Sequence, residues 1–318
     1  MQQNRRHFLK GAAALGGSAL LATSGLTMST STTQAAQVTS KPVKPVEVFV
    51  NQYTVQTYYA REGVNLSQNI DRCFAELKQA GFAGFEATVG QPGDLDIYID
   101  ALTKQSMQLR SIYSGANLHD EATGAGEVAR VIKLGERAKS AGTKFIVVNV
   151  QAKSGKSDAE LIRQNKHLDT LGAALRELGI RLAMHYHTTE LEFAAREFHS
   201  FLCDTSPENV ALCFDVHWSF RASGNSAVSA YSHAKLYADR VVELHLRQSQ
   251  DNIWTETFVT KADIDYEKTL AILRQNKAFD AANCHVVLEQ APENGTPKTL
   301  TPLEIFKQSV EAVQKMCS

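Results

Sequence analysis

The sequence predicts a single (β/α)8 barrel, also called a TIM barrel. Strand-like and helix-like segments alternate from residue 46 to the end of the chain, and there are eight strands, each followed by a helix. That alternation is typical of a barrel of parallel strands, and a mature chain of about 280 residues suits one such domain. An open doubly wound sheet is the alternative. It lacks support because no G-x-G-x-x-G motif follows any early strand.

The elements follow one another with short connections. The predicted strands are residues 46–53, 83–88, 109–115, 144–150, 181–187, 210–218, 241–248 and 285–290. The predicted helices are residues 69–81, 96–106, 126–142, 158–179, 191–203, 225–238, 265–276 and 302–316. Several of these helical patterns end in Gly after a basic or polar turn, as helix C-termini commonly do.

The N-terminus resembles a twin-arginine export signal. Arg5 and Arg6 precede Phe8-Leu9-Lys10, and a Gly/Ala/Ser/Leu stretch without acidic residues follows. This stretch is shorter than the ~20 consecutive apolar residues of a spanning helix, so a stable membrane anchor is not expected. We therefore predict a signal peptide over residues 1–36, a linker over 37–45 and the barrel over 46–318. The twin-arginine translocase is the expected partner, and the periplasm is the expected location.

Charge and cysteine content exclude some functions. The chain carries 33 basic and 34 acidic residues, and removal of residues 1–36 takes away Arg5, Arg6 and Lys10 but no acid, which changes the net charge from −1 to −4. No basic run interleaved with aromatic residues is present, so nucleic acid is not an expected partner. The five cysteines show no Cys-x-x-Cys spacing and are predicted to be mainly apolar fillers.

The last four predicted strands end in charged or imidazole side chains. Strands buried on both faces are normally apolar throughout, and residues two apart share a face. The polar residues of these strands are His185 and His187, then Asp215 and His217, then Glu243, His245 and Arg247, and finally Glu289. Because active sites of TIM barrels lie at the C-terminal ends of the strands, these side chains predict one shared site. The same rule selects Asn51, Tyr53, Glu86 and Tyr113 from the earlier strands.

The residue types favour a divalent metal ion with a sugar-sized substrate. Asp215, His245 and Glu289 offer one imidazole and two carboxylates, which are typical ligands of Mn, Mg, Co or Zn. A fourth ligand is expected from His185 or His187. The alternative is that each side chain is a buried polar group satisfied by its neighbours.

Several segments resemble the sugar phosphate isomerase/epimerase superfamily, the xylose isomerase-like TIM barrels. The resemblance runs from about residue 45 to the C-terminus. It rests on Gly81–Glu86, Leu178–His187 with Glu190, Phe214–Trp218, Leu244–Arg247, Trp254–Glu256, Asp263–Tyr266 and Val286–Glu289. The resemblance implies one divalent ion held by Glu, Asp, His and Glu, and Asp215, His245 and Glu289 match the last three ligands.

The first ligand departs from the family pattern. Where epimerases and isomerases have a Glu at the end of the fifth strand, this chain has His185-Tyr186-His187. We expect His185 to bind the metal, and His187 and Glu289 to move protons. Glu86, Glu190, His217, Arg247, Trp254 and Glu256 are the predicted substrate-binding residues. Lys153, Lys156 and Lys261 are interpreted as solvated charges.

The predicted function is that of a metal-dependent isomerase or epimerase that acts through an enediolate on a carbohydrate or keto-sugar. Without the fifth-strand Glu, one of the two epimerase carboxylates is missing, so a lyase that carries out β-elimination on 3-keto-glycosides with His as acid/base is an alternative. A barrel that binds sugar without turnover is another. A phosphodiesterase of the endonuclease IV kind is the fourth, but the early strands offer few of the histidines that its three-metal cluster needs.

Overall fold

Eight parallel strands close into a barrel in the computed structural model, which describes residues 45–317. The barrel strands are β1 (Val48–Asn51), β2 (Gly84–Thr88), β3 (Ser111–Ala116), β4 (Phe145–Val150), β5 (Arg181–His185), β6 (Val210–Asp215), β7 (Val241–Leu246) and β10 (His285–Leu288). A small antiparallel hairpin of β8 (Ser249–Gln250) and β9 (Ile253–Trp254) follows β7. The predicted (β/α)8 fold is confirmed. The predicted signal peptide and nearly all of the linker lie outside the described residues.

Helices follow every barrel strand. They are α1 (Gln52–Arg61), α2 (Ile70–Ala80), α3 (Asp96–Lys104), α4 (Gly124–Lys139), α5 (Asp158–Glu177), α6 (Glu192–Cys203), α7 (Val216–Ala222), α8 (Ala227–Tyr237), α9 (Tyr266–Arg274) and α10 (Pro302–Cys317). Their apolar faces pack on the outside of the barrel and form one continuous core with the outward-facing strand residues. None of the helices within residues 45–317 is long and apolar enough to cross a membrane.

Strand register brings the polar tips to one level. Asp215 on β6 is paired with His245 on β7, and Val287 on β10 is paired with the same histidine. Glu289 therefore lies two residues beyond the level of His245, just past the end of β10. On the other side of the barrel, Asn51 is paired with Glu86. Since the strands are parallel and in register, their C-terminal ends meet at one mouth.

Two predicted strands extend too far because a polar residue ends each of them and caps a helix. Asn51 accepts a hydrogen bond from the backbone N–H of Tyr53 (2.7 Å), so the chain enters α1, which sequence reasoning missed. Asp215 accepts from the N–H groups of His217 and Trp218, and α7 begins at Val216. Side-chain oxygens of Asn and Asp are strong helix N-caps. The prediction that Asp215 and His217 share one strand face is therefore wrong.

The β5 strand also ends earlier than predicted, at His185, and α6 begins irregularly. Phe193, Ala194 and Ala195 adopt left-handed backbone conformations with φ between 52° and 60°. For residues with a Cβ this conformation costs roughly 1–2 kcal/mol each. The chain between His187 and the regular part of α6 is thus held in a strained turn.

Lys156 was predicted to be a solvated charge, and this prediction is wrong because the side chain is buried. Its side chain is 1% exposed and forms an ion pair of 2.5 Å with Glu197 of α6. It also donates to Gln164 (3.1 Å), and Gln164 in turn donates to Glu197 (3.0 Å). This network ties the loop after β4 to the helix after β5. Lys153, by contrast, forms a partly exposed pair with Glu160.

Candidate active site

Four side chains from four neighbouring strands converge at the mouth of the barrel. His185, Asp215, His245 and Glu289 each offer one ligand atom, and these atoms all lie within 4.8 Å of one another. Three of the side chains are fully buried, and Glu289 is 6% exposed. These are the four residues that sequence analysis selected as metal ligands, and the structure brings them together.

His245 lies at the centre of the cluster, and its two ring nitrogens face different carboxylates. Nδ1 is 3.1 Å from Glu289 Oε2, whereas Nε2 is 3.1 Å from Glu243 Oε1 and 3.2 Å from Glu86 Oε1. Burial acts to lower the pKa of His245, but Cys213, Glu86 and Glu289 outweigh it and raise the pKa well above its usual value. The cluster therefore favours a positive charge at this position.

Glu86 is held by several donors deep in the barrel. Its Oε1 accepts from Asn51 Nδ2 (2.7 Å) and its Oε2 accepts from Ser111 Oγ (2.7 Å), in addition to the contact with His245. Burial would raise the pKa of Glu86, but His245 and these donors lower it to about 2. Burial and the nearby Glu86 raise the pKa of Glu243 well above its usual value. One carboxylate is thus ionised, and its neighbour holds a proton.

Two buried ligand atoms have no hydrogen-bond partner within residues 45–317. They are His185 Nε2 and Asp215 Oδ2, both beside the cluster centre. Burial lowers the pKa of His185 well below its usual value, so its imidazole is neutral. Burial and the charge of Glu289 raise the pKa of Asp215 to about 7. Unpartnered buried polar atoms are costly, so an unexplained pair of them indicates a missing partner.

The donor set fits a divalent cation. A neutral imidazole and a buried carboxylate oxygen without partners face a second imidazole and a second carboxylate. Ligand atoms about 2.1 Å from one ion are at most about 4.2 Å apart. The observed limit of 4.8 Å is therefore only slightly wider than the limit for atoms bound to one ion. Two imidazoles with two carboxylates suit Zn, Mn or Co better than Mg, which prefers oxygen ligands.

A cavity of about 430 Å³ opens directly above this cluster. His187 and Glu289 form part of its wall together with Tyr113, Trp218 and Arg247. The His187 ring packs edge-on against His185 (4.8 Å between centroids) and Trp218 (5.1 Å), and it makes no hydrogen bond within the described chain. Burial lowers the pKa of His187, which favours the neutral imidazole. His187 is therefore able to accept a proton from a molecule in the cavity.

Arg247 lies between two tryptophans at the same mouth. Its guanidinium carbon is 4.2 Å from the centroid of Trp254 and 5.3 Å from that of Trp218. Its Nη2 donates to Glu293 (3.1 Å), and its Nε has no partner within residues 45–317. These cation–π contacts and the ion pair with Glu293 hold the guanidinium in place.

The remaining predicted substrate-binding residues have protein partners. His217 is buried, its Nε2 is 2.9 Å from Ser249 Oγ, and burial lowers its pKa to about 2. Glu190 accepts from the backbone N–H of His187 (2.7 Å). Glu256 accepts from Thr299 and from the N–H of Leu300. These three residues do not line the cavity, and neither does Glu86, which lies inside the barrel. Arg247 does line it.

Sequence reasoning missed several residues that do line the cavity. They are Gln52, Gln56, Thr88 and Glu293. Gln52 and Gln56 belong to α1, which was predicted in part as strand, and Glu293 belongs to a loop with no periodic pattern. Sequence analysis placed Glu243 on the same strand face as His245 but did not select it as a site residue. Its contact with the cluster becomes clear only in the structure, where Glu243 and Glu86 lie beside the same nitrogen of His245.

Comparison with known proteins agrees with this architecture. The family model of the xylose isomerase-like TIM barrel matches residues 74–316. The chain belongs to this family. A model of the twin-arginine translocation signal matches residues 2–22, so the protein carries an export signal.

The chain is also similar to an inosose dehydratase in sequence and to a sugar phosphate isomerase/epimerase in structure. Inosose dehydratase from Clostridium perfringens (strain 13 / Type A) is 28% identical over 192 residues, which are 56% of this chain and 63% of the relative. The chain thus spans less than two thirds of that relative's length. A sugar phosphate isomerase/epimerase from Parabacteroides distasonis is 14% identical with a TM-score of 0.66, and the match covers 88% of this chain and 98% of the other. A xylose isomerase-like barrel from Mycobacterium smegmatis in complex with magnesium is 12% identical with a TM-score of 0.62 over 86% and 96% of the two chains.

Proposed function

We propose that the protein is a divalent-metal-dependent enzyme that moves a proton at a carbon beside the carbonyl of a keto-sugar. The observation that carries this proposal is the position of His187, a neutral imidazole without a hydrogen bond on the wall of a cavity that also exposes Glu289. The names of the relatives support the substrate class, because they are enzymes of sugars or of a cyclic polyol ketone.

His185, Asp215, His245 and Glu289 would hold the ion. When bound, it would polarise the substrate carbonyl and stabilise the negative charge that develops on its oxygen, as a Lewis acid does. Glu86 and Glu243 orient His245 by accepting from Nε2, so that Nδ1 faces the other ligands. Partners of this kind fix the tautomer of a ligating histidine.

Dehydration is the reaction that the wall of the cavity favours. His187 would remove the proton next to the carbonyl. The C–O bond at the following carbon would then break, and the proton on His187 would leave with the hydroxyl as water. This sequence needs a single acid/base group, and among the described residues His187 is the one histidine on the cavity wall. The inosose dehydratase relative supports the same reaction class.

Epimerisation is the second candidate. It needs a proton donor on the opposite face of the same carbon, and Glu289 also lines the cavity. Burial would raise the pKa of Glu289, but His245 lowers it, which makes this carboxylate a poor proton donor. The geometry therefore favours elimination over inversion.

Proton NMR in deuterated water tests this function. The metal-loaded protein would be incubated with D-fructose, D-allulose, an inosose and a 3-keto-glucoside. We expect at least one of them to lose the proton beside its carbonyl together with a hydroxyl group as water, and to gain deuterium at the carbon that carried this hydroxyl when the enol product tautomerises. Deuterium exchange with inverted configuration and no water loss would favour the epimerase. No exchange in any of the four compounds would contradict the proposal.

We also propose that the enzyme works in the periplasm. The twin-arginine signal supports export of a folded protein, which is compatible with metal loading before export. Changing Arg5 and Arg6 together to Lys should leave the precursor in the cytoplasm, as measured by fractionation and immunoblotting. Normal export of the double variant would overturn this location.

A further inference from the structure

We propose that the cavity selects an uncharged keto-sugar over a phosphorylated one, and that Glu293 is the residue that sets this selectivity. The inference rests on the proposed function, because it concerns the same cavity. Four observations support it: the charges on the cavity wall, the partners of Arg247, the backbone N–H groups of the last two barrel loops, and the neutral side chains that remain.

The wall offers little positive charge. Among the described residues that line the cavity, Arg247 is the one with a permanently positive side chain, and Glu289 and Glu293 are carboxylates. A phosphate ester brings one to two negative charges, and like charges in a partly buried site repel strongly. Away from the cation that the four ligands would hold, the wall would therefore disfavour a phosphoryl group unless Arg247 were able to receive it.

Arg247 is already occupied. Its guanidinium carbon lies over the rings of Trp218 and Trp254, its Nη2 donates to Glu293, and its side chain is 2% exposed. Recognition of phosphate by arginine usually uses two parallel N–H groups at the edge of the guanidinium. In this protein Nη2, one of the nitrogens at that edge, already donates to the carboxylate of Glu293. The Nε atom has no partner within residues 45–317, and one N–H suffices for a hydroxyl group.

In the loops after the last two barrel strands, backbone N–H groups that could bind an anion already donate to carboxylates of the chain. In TIM barrels these loops, with the N-terminus of a short helix, commonly form a phosphate site. In this protein the Glu256 carboxylate accepts from the N–H groups of Thr299 and Leu300 at 2.9–3.1 Å and from Thr299 Oγ1 at 2.6 Å. These contacts lie just before α10. An internal carboxylate thus takes the place that an anionic ligand would need.

A second carboxylate does the same in the loop after β7. Asp263 accepts from the N–H groups of Asp251 (3.0 Å) and Asn252 (2.9 Å) and from Ser249 Oγ (2.5 Å). Asp215 likewise takes the first N–H groups of α7. In all three places the backbone N–H groups are therefore satisfied by carboxylates of the chain itself.

The rest of the wall matches hydroxyl groups. It contains the amides of Gln52 and Gln56 and the hydroxyl of Thr88, and also the amide of Asn51, which already contacts Glu86 and the N–H of Tyr53. Tyr53 completes this side and donates its hydroxyl to Glu293 (3.3 Å). Amide and hydroxyl groups both donate and accept, as the hydroxyls of a sugar do. Glu293 thus joins Tyr53 and Arg247 across the mouth and adds a negative charge at that point.

Tryptophan fluorescence provides a binding assay that does not depend on turnover. The chain contains two tryptophans, and both flank Arg247. The zinc-loaded protein would be titrated with D-fructose and D-allulose and with the 6-phosphate of each. We expect each neutral ketose to bind roughly tenfold or more tightly than its phosphate. Equal or tighter binding of the phosphates, or no response to either neutral ketose, would overturn the proposal.

Glu293→Gln tests the residue itself. The amide keeps the size and one acceptor but loses the charge, so the ratio of phosphate to neutral dissociation constants should fall roughly tenfold. Glu192→Gln removes an exposed charge outside this cavity and should leave the ratio unchanged. An unchanged ratio in Glu293→Gln would overturn the role of Glu293. Selective binding without deuterium exchange would contradict only the proposed function, and turnover of phosphates alone would contradict only the selectivity.

Discussion

The two halves of the barrel end in different chemistry. The late strands β5, β6, β7 and β10 end in or next to His185, Asp215, His245 and Glu289, whose ligand atoms lie within 4.8 Å of one another. The early strands end in amide and hydroxyl side chains, such as those of Asn51 and Thr88, which line the cavity. Both halves have the same backbone architecture, so the difference arises from the side chains at the strand tips.

The early half contributes to the cluster in one indirect way. Glu86 of β2 reaches across the interior to His245, and Asn51 and Ser111 hold Glu86 in place. The late half therefore supplies the candidate ligands, whereas the early half helps to orient them through Glu86 and forms one side of the cavity wall. Substitutions in each half test this division.

The largest effect is expected from Asp215→Asn in the late half. Asn keeps the acceptor that caps α7 but replaces the unpartnered Oδ2 with an amide NH2 group. We expect metal affinity to fall well beyond the 10–100-fold that outer contacts contribute. Elemental analysis after dialysis and chelator competition measure this. Thr88→Val in the early half should retain full metal. Equal metal retention in Asp215→Asn and Thr88→Val would contradict the division between the two halves.

A smaller effect is expected where the two halves are joined. Lys156→Met leaves Glu197 buried without its partner, which should destabilise the fold by about 3–5 kcal/mol. Lys153→Met removes a partly exposed pair and should cost less than about 1 kcal/mol. Urea unfolding measures both. The double variant Lys156→Met with Glu197→Leu should recover most of the loss, and equal stability of the two single variants would contradict the role of the buried pair.

The sequence was sufficient for the fold and for the convergence of His185, Asp215, His245 and Glu289, because both depend on local patterns. Strand periodicity and the polar interruptions at the tips are visible without a structure. The ends of β1 and β6 were not predicted, since Asn51 and Asp215 act as helix caps while apolar and aromatic residues continue beyond them. The burial of Lys156 and the position of Glu86 depend on Glu197 and His245, which are 41 and 159 residues away in the chain, and no local pattern encodes such pairings.

The smallest effect is expected from Glu86→Gln. The amide still accepts from His245 but without a negative charge, so metal affinity should fall about 10–100-fold while the ligands stay in place. Isothermal titration calorimetry of the metal-free protein measures the affinity. Glu121→Gln, at an exposed position, serves as the charge control. A metal affinity equal to that of the unmodified protein would show that Glu86 does not contribute to metal binding.

The metal content of the His185→Ala and His187→Ala variants tests the division of roles most directly. Both histidines lie at the same mouth, but only His185 has a buried ring nitrogen without a partner at the cluster. We predict that His185→Ala loses both metal and turnover, whereas His187→Ala keeps full metal and loses turnover by about 10²–10⁴-fold. Loss of metal in the His187 variant alone, with full metal in the His185 variant, would contradict the account.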